Sequence, residues 1–177
     1  RIARIGYFEV DVVTQIITIT DELFAVLDTT AEQEGGRQFS ARETLRKYVS
    51  SDDFTTVIQA FERAIKTGKS GQEVFVEARY RTRDGRTIWV ATTYKAELDE
   101  KGRVFKVLGS SQDITERKTN ELIQRAITEI SDAALTAPSI ESLIKSVHSA
   151  IGSLVPTKNF YVALYDAQND WMTFPYF

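Results

Sequence analysis

Side chains that commonly do chemistry are sparse in this chain. It has one histidine, His148, and no cysteine. Without a thiol, disulfides, thiolate metal sites and covalent thiol catalysis are excluded. His148 could accept a phosphoryl group or bind a metal. Its neighbours Ser146, Val147 and Ser149 form no phosphoacceptor motif, so it reads as a surface or boundary histidine. Asp52 and Asp53 form a carboxylate pair that could do acid–base work. No second catalytic group accompanies them, and at a helix start such a pair serves the helix dipole and the free N–H groups. Arg79, Arg81 and Arg83 read as one face of a strand and could attract an anion or nucleic acid. Glu77 and Asp84 among them favour an ordinary solvated face. No glycine-rich phosphate loop, zinc spacing or nucleophile elbow occurs. These residues therefore carry no catalytic assignment and no metal site.

The elements that must position these groups can be read from hydrophobic period. Phe8 and Val10 alternate with polar neighbours in Gly6–Asp11, and Ile16-Ile-Thr-Ile19 is a β-branched run, so both predict short strands. Thr20 or Asp21 can cap a helix to about Leu27, with Leu23, Phe24 and Leu27 on one face. The polar stretch 28–39, with Gly35-Gly36, predicts a loop. Ser40 with Glu43 makes a capping box for a helix to about Tyr48. Ser51–Phe54 starts another, with Val57, Ile58, Phe61 and Ile65 at helical spacing and Gly68 at its end. Val74, Val76, Ala78 and Tyr80 alternate along the next strand. A turn at Asp84-Gly85 leads to a return strand with Ile88, Val90, Tyr94 and Ala96. Trp89 lies on the polar parity of that strand, and either covers a helix or partner surface or packs within its own domain. After a hairpin at Gly102, the strand from about Val104 to Gln112 has adjacent apolar pairs. That pattern predicts a central strand buried on both faces.

The period then changes. Residues 116–135 contain no Gly or Pro, and Ile123, Ile127, Ile130 and Ala134 follow a coiled-coil-like spacing. Asp113 can cap the start of this helix, with Glu116 at its third position. Pro138 ends it. Ser139 opens a helix carrying Ile140, Leu143, Ile144, Val147, Ile151 and Leu154, which Pro156 stops. Residues 160–165 and 171–177 predict two strands around a turn. Two strands alone leave edges in need of partners. The expectation is a truncated second domain, or a surface supplied by another chain.

Composition bounds the function. Apolar residues make up 42% of the 177, enough for a core, and the net charge is −3. Residues 1–118 hold 19 basic and 19 acidic side chains, and residues 119–177 hold 3 and 6, so no nucleic-acid partner is expected. No apolar run approaches the roughly 20 residues that span a bilayer. The absence of cysteine fits a reducing, cytoplasmic setting, either free or as the cytoplasmic part of a membrane-attached protein. The chain opens at Arg1 rather than Met, as an excised fragment would.

Several strings, in order, resemble a PAS domain with its C-terminal PAC portion. Gly6-Tyr-Phe-Glu-Val-Asp11 is similar to the family's G-x-W-E-x-D start, with Phe8 for Trp. Tyr48–Asp53 resembles its V-H-P-D-D segment, with His and Pro replaced. Arg81–Val90 resembles its R-x-x-D-G-x-x-x-W-V hairpin, and Gly109–Lys118 its G-x-x-x-D-I-T-E-R-K ending. Ile130–Ala134, Asn159–Asp166 and Phe174–Phe177 resemble the N-terminal part of a GAF domain.

The resemblance implies an α+β fold, with a five-stranded antiparallel sheet and helices on one face. A long connector helix and a partial GAF-like α+β domain would follow. Residues 1–115 are the PAS/PAC domain, 116–137 the connector and 138–177 the incomplete GAF-like start. It also implies that Asp113-Ile114-Thr115 is the junction where a change in the sheet becomes movement of the helix. The PAS-like part has no histidine for axial haem ligation, and without cysteine no flavin–thiol adduct can form, so no cofactor is evident. Phe8, Phe24, Phe61, Tyr80, Ile88, Val90 and Tyr94 could line a cavity for a small molecule or fill it. The seam Ile123, Ile127, Ile130, Ala134 predicts a parallel homodimer over an intramolecular core.

The expected function is a sensory and relay module of a cytoplasmic signalling protein, such as a sensor histidine kinase or cyclic-diguanylate enzyme. An output domain would lie in cis, and the fragment itself would not be an enzyme. The alternatives are a ligand-independent interaction or dimerisation module, and the regulatory part of an enzyme whose catalytic domain lies beyond Phe177.

Overall fold

The computed structural model describes residues 5–155 and 160–176. The chain divides into two compact units, Arg1–Thr115 and Glu116–Phe177. In the first unit, strands β1 (Ile5–Asp11), β2 (Ile16–Ile19), β3 (Gln38–Ser40), β4 (Val74–Arg81), β5 (Thr87–Leu98) and β6 (Val104–Asp113) form one antiparallel sheet. Their spatial order is β3-β2-β1-β6-β5-β4. Four helices accompany it: α1 (Asp21–Val26), α2 (Ala31–Glu34), α3 (Ala41–Tyr48) and α4 (Phe54–Thr67). The first and last strands of the unit pair at its centre, with Phe8 opposite Gly109 and Val10 opposite Val107.

Side-chain alternation puts one sheet face under cover. Phe8, Gly109, Tyr94 and Val74 are successive cross-strand partners, so they share that face. Val10, Val107 and Ala96 make the next row. Leu23, Phe24 and Val26 from α1, and Val57, Ala60 and Ala64 from α4, are buried. Gly109 is required by close approach: a Cβ there would stand 2.0 Å from Cζ of Phe8, whose ring lies over the glycine.

Three expectations need correction. The sheet has six strands rather than five. The stretch 28–39 is not simply a loop, because it holds α2 and most of β3. Thr30 caps α2 by accepting from the Gln33 amide, and Gly35 ends it at φ +85°. β3 pairs with β2 through Phe39 opposite Ile17. Both elements are too short for their period to be read, and Phe39 is the only large apolar residue in the stretch. Finally, β6 is central as expected but not buried on both faces. Val107, Gly109 and Ser111 are buried, and the alternate residues from Val104 to Gln112 are half-covered. Of the apolar pairs, Leu108 reports the partial cover of the outer face, whereas Val104 packs against the inner core and Phe105 is exposed.

In the second unit, α5 (Thr115–Thr136, with Thr115 contributed by the first unit) precedes α6 (Ile140–Gly152) and a hairpin of β7 (Val162–Asp166) and β8 (Trp171–Tyr176). Ser139 caps α6 by accepting from the Ser142 amide. The stop expected at Pro156, together with Asn159 and Phe177 of the matched strings, lies outside the described residues.

Candidate functional site

Two places in the first unit concentrate the residues singled out from sequence. The first is the covered sheet face. The Phe8 ring meets Tyr94 edge-on at 5.9 Å, and Phe61 of α4 meets the same tyrosine at 5.8 Å. Phe24, Ile88 and Val90 are buried in one cluster with Val10 and Ile19, and Phe8, Phe61 and Tyr80 pack against it. All seven candidate cavity residues therefore belong to one continuous core. The face also carries a polar element: the hydroxyls of Thr92 and Ser111, directly opposite each other, are 2.9 Å apart and buried. Burial pushes the Tyr80 phenol up to about 12, against a hydrogen bond with Thr92. Burial likewise raises Tyr94 well above its ordinary value. Both phenols are neutral across the physiological range, so this face can offer hydroxyl donors and acceptors and aromatic edges, but no charge.

The second place is the junction between β6 and α5. Ile114 is buried and donates its amide to the Trp89 carbonyl at 2.8 Å. The Thr115 hydroxyl accepts from the Trp89 amide at 2.9 Å. Asp113 Oδ1 accepts from the Thr115 amide at 2.9 Å. Three consecutive residues thus anchor, clasp and cap the helix start, and the clasp closes on a single residue of β5. Because α5 begins at Thr115, Glu116 is its second residue rather than its third.

Trp89 is in turn held from the side. Its ring lies 5.8 Å from the Arg79 guanidinium, a cation–π contact across the β4–β5 pair. Asp53 Oδ2 accepts from both the amide and Nε of Arg79, each at 2.8 Å, and Oδ1 accepts from Nη2 at 2.9 Å. These bonds hold the Asp53 carboxyl below its ordinary value. Asp53 stands at the N-cap position of α4 but makes no side-chain cap bond, so the capping part of the reading gives way to a clamp on β4. Asp52 adds an outer contact to Arg79 at 3.3 Å.

The arginine row also changes. Arg79 and Arg81 are in β4, but Arg83 lies beyond its end and bonds Glu34 at 2.8 Å. Glu34 was not singled out by any sequence signal. Its side chain is only 4% exposed and also meets Lys47 and the Thr29 hydroxyl. Burial alone would raise this carboxyl, but the bonds from Lys47, Thr29 and Arg83 outweigh it and hold it at about 2. The Tyr48 hydroxyl is buried beside it without a well-formed hydrogen bond.

The seam residues are not brought into a core. Ile123, Ile127 (51% exposed) and Ala134 are exposed and Ile130 is half-covered, while Ala126 on the same helix is buried. His148 is half-covered and stacks on Phe160 at 4.6 Å. Among the described residues no group of three or more His, Cys, Asp or Glu could hold a metal ion. No helix among them is long and apolar enough to cross a membrane.

Comparison with known proteins agrees with this geometry. The family model described as PAS fold matches residues 17–111. A sensory box histidine kinase/response regulator from Burkholderia thailandensis is similar in structure, with a TM-score of 0.58 at 20% identity. That match covers 72% of this chain and 89% of the other. The N-terminal domain of a diguanylate cyclase with PAS/PAC sensor from Marinobacter aquaeolei matches with a TM-score of 0.52 at 18% identity, covering 64% and 98%. An RNA-binding light-oxygen-voltage receptor matches with a TM-score of 0.55 at 23% identity, covering 85% of this chain and 42% of its own. No curated protein matches in sequence. The chain belongs to the PAS fold family.

Proposed function

We propose that this PAS-family chain is the sensory and relay part of a signal-transduction protein. The core around Phe8, Phe24, Phe61, Tyr80, Ile88, Val90 and Tyr94 receives the stimulus. Asp113-Ile114-Thr115 passes it to α5, and the second unit carries it on as the start of a GAF-like domain. The observation that carries this reading is the clasp of Ile114 and Thr115 on both backbone groups of Trp89. A helix start hydrogen-bonded to one strand residue moves when that strand moves. A near-balanced equilibrium needs only a small differential contact energy to shift. The exposed Ile123 and Ile127 support a parallel homodimer through the α5 seam, in which two connectors turn or slide together. The setting is cytoplasmic, with a kinase or cyclic-diguanylate output domain in cis. In the full-length protein, Asp113→Ala should uncouple stimulus from output while stimulus binding persists. An unchanged response in that variant sinks the relay.

One observation favours a second reading. Phe8 and Phe61 both pack edge-on against Tyr94 at the centre of the covered face, which is how a filled core behaves. A ligand-independent interaction module would use its outer face, where Tyr7 and Phe75 are exposed. Native mass spectrometry of the purified chain separates the two: a retained small molecule supports sensing by the core, and its absence together with a bound protein partner supports docking.

A further inference from the structure

We propose that the cleft between α3, the segment that joins it to α4, and edge strand β4 is a binding site for a small organic anion, one bearing a carboxylate or phosphate on an apolar body. The cleft measures about 370 Å³ and is lined by Arg46, Lys47, Val49, Ser51, Phe54 and Arg81. Small-ligand pockets occupy roughly 300–1,000 Å³, so it suits a compact ligand. Three of the six lining residues are cationic and none is acidic.

Pairing within the β4–β5 hairpin singles out this place. Arg79 is held by Asp53, Arg83 by Glu34, and Arg86 by Asp84 and Asp28. Arg81, the remaining arginine of the hairpin, pairs with no carboxylate among the described residues, and neither does Arg46 across the cleft. Lys47 is engaged by Glu34, so the uncompensated charge at the cleft is that of the two guanidiniums. A guanidinium presents paired N–H donors that match carboxylate and phosphate oxygens. Ser51 adds a hydroxyl, while buried Val49 and half-buried Phe54 make an apolar wall. Two unpaired guanidiniums in a cleft with an apolar wall suit an anionic head with an apolar body.

The consequence of binding rests on the relay reading. Ser51 and Phe54 flank Asp53, the residue that clamps Arg79. Arg79 covers Trp89, and Trp89 holds Thr115. An anion that draws Ser51 and Arg81 together therefore acts on the contacts that fix the start of α5.

The test is a titration of the ¹⁵N-labelled 177-residue chain with phenyl phosphate, followed by amide chemical shifts. Saturable shifts at Val49, Ser51, Phe54 and Arg81 are expected. Arg46→Gln and Arg81→Gln, both at exposed positions, should leave the unliganded spectrum dispersed and weaken binding by about tenfold each. Inorganic phosphate, which lacks the apolar body, should bind about tenfold more weakly than phenyl phosphate. Absence of saturation at millimolar phenyl phosphate, wild-type affinity in both variants, or equal affinity for inorganic phosphate overturns the site. Shifts at Trp89 and Thr115 that saturate with the cleft support the coupling. A saturated cleft with an unmoved junction refutes the coupling and leaves the anion site standing, so the two failures are distinct.

Discussion

Phe24 in the first unit is 1% exposed and Trp171 in the second is 64% exposed, although each is a large aromatic in a regular element. Around Phe24, six strands and four helices close on one sheet face. Around Trp171 there are two strands, with Leu164, Tyr165, Met172 and Phe174 also exposed. A two-stranded hairpin has no interior and is marginal without further packing. The first unit closes over its own core, and the hairpin of the second leaves its large side chains exposed. Apolar content alone does not mark a core; closure of the surface does.

Substitution at these two aromatics is the sharpest probe of the difference. Phe24→Ala should lower the unfolding free energy of the chain by about 3–5 kcal/mol, through lost transfer energy and a cavity. Trp171→Ala should change it by less than about 0.5 kcal/mol, because most of the residue is in water in the folded state too. Equal losses in denaturant titrations would erase the contrast. Gly109→Ala probes the same core from the opposite direction. Its new methyl meets the Phe8 ring, and overpacking should destabilise the first unit by about 1–3 kcal/mol.

The third probe is electrostatic. The Glu34 carboxyl is held at about 2 in the folded chain, against an ordinary value of 4.5. Its folded value is depressed, so its contribution is fully present above about pH 4.5 and is lost as the pH falls towards about 2. Lys47 and Arg83 are themselves half-exposed, and screening reduces the contribution to about 2 kcal/mol. Glu34→Gln should remove that amount at neutral pH and flatten the acid limb of the stability profile over that window. An unchanged acid limb would show that Glu34 does not bind the α2, α3 and hairpin segments together.

These probes also show where sequence was informative. The hairpin at Asp84-Gly85 and the helix capped by Ser40 were legible, because each rests on local period or turn chemistry. α2 and β3 were not, since four and three residues cannot display a period. At the junction, Asp113-Ile114-Thr115 was legible as a string, but Trp89 as the residue it clasps was not. That partnership joins positions 26 apart and uses the Trp89 backbone, which has no sequence signature. Glu34 and the Asp53–Arg79 clamp were hidden for the same reason: a charge in a polar stretch looks the same whether it is solvated or buried against three partners.

The smallest expected effect compares two helix starts. α6 begins with a local cap alone, the Ser139 hydroxyl accepting from Ser142. α5 begins with a local cap from Asp113 and a long-range clasp from Thr115 to Trp89. Ser139→Ala should speed amide exchange by about fivefold in the first turn of α6 and nowhere else. Thr115→Val keeps the side-chain shape and removes the acceptor, so the Trp89 amide in β5 should lose protection by a similar factor. The change then appears at a residue remote in sequence, inside the sheet. If the Thr115→Val effect stays within α5, the helix start is not mechanically joined to the strand.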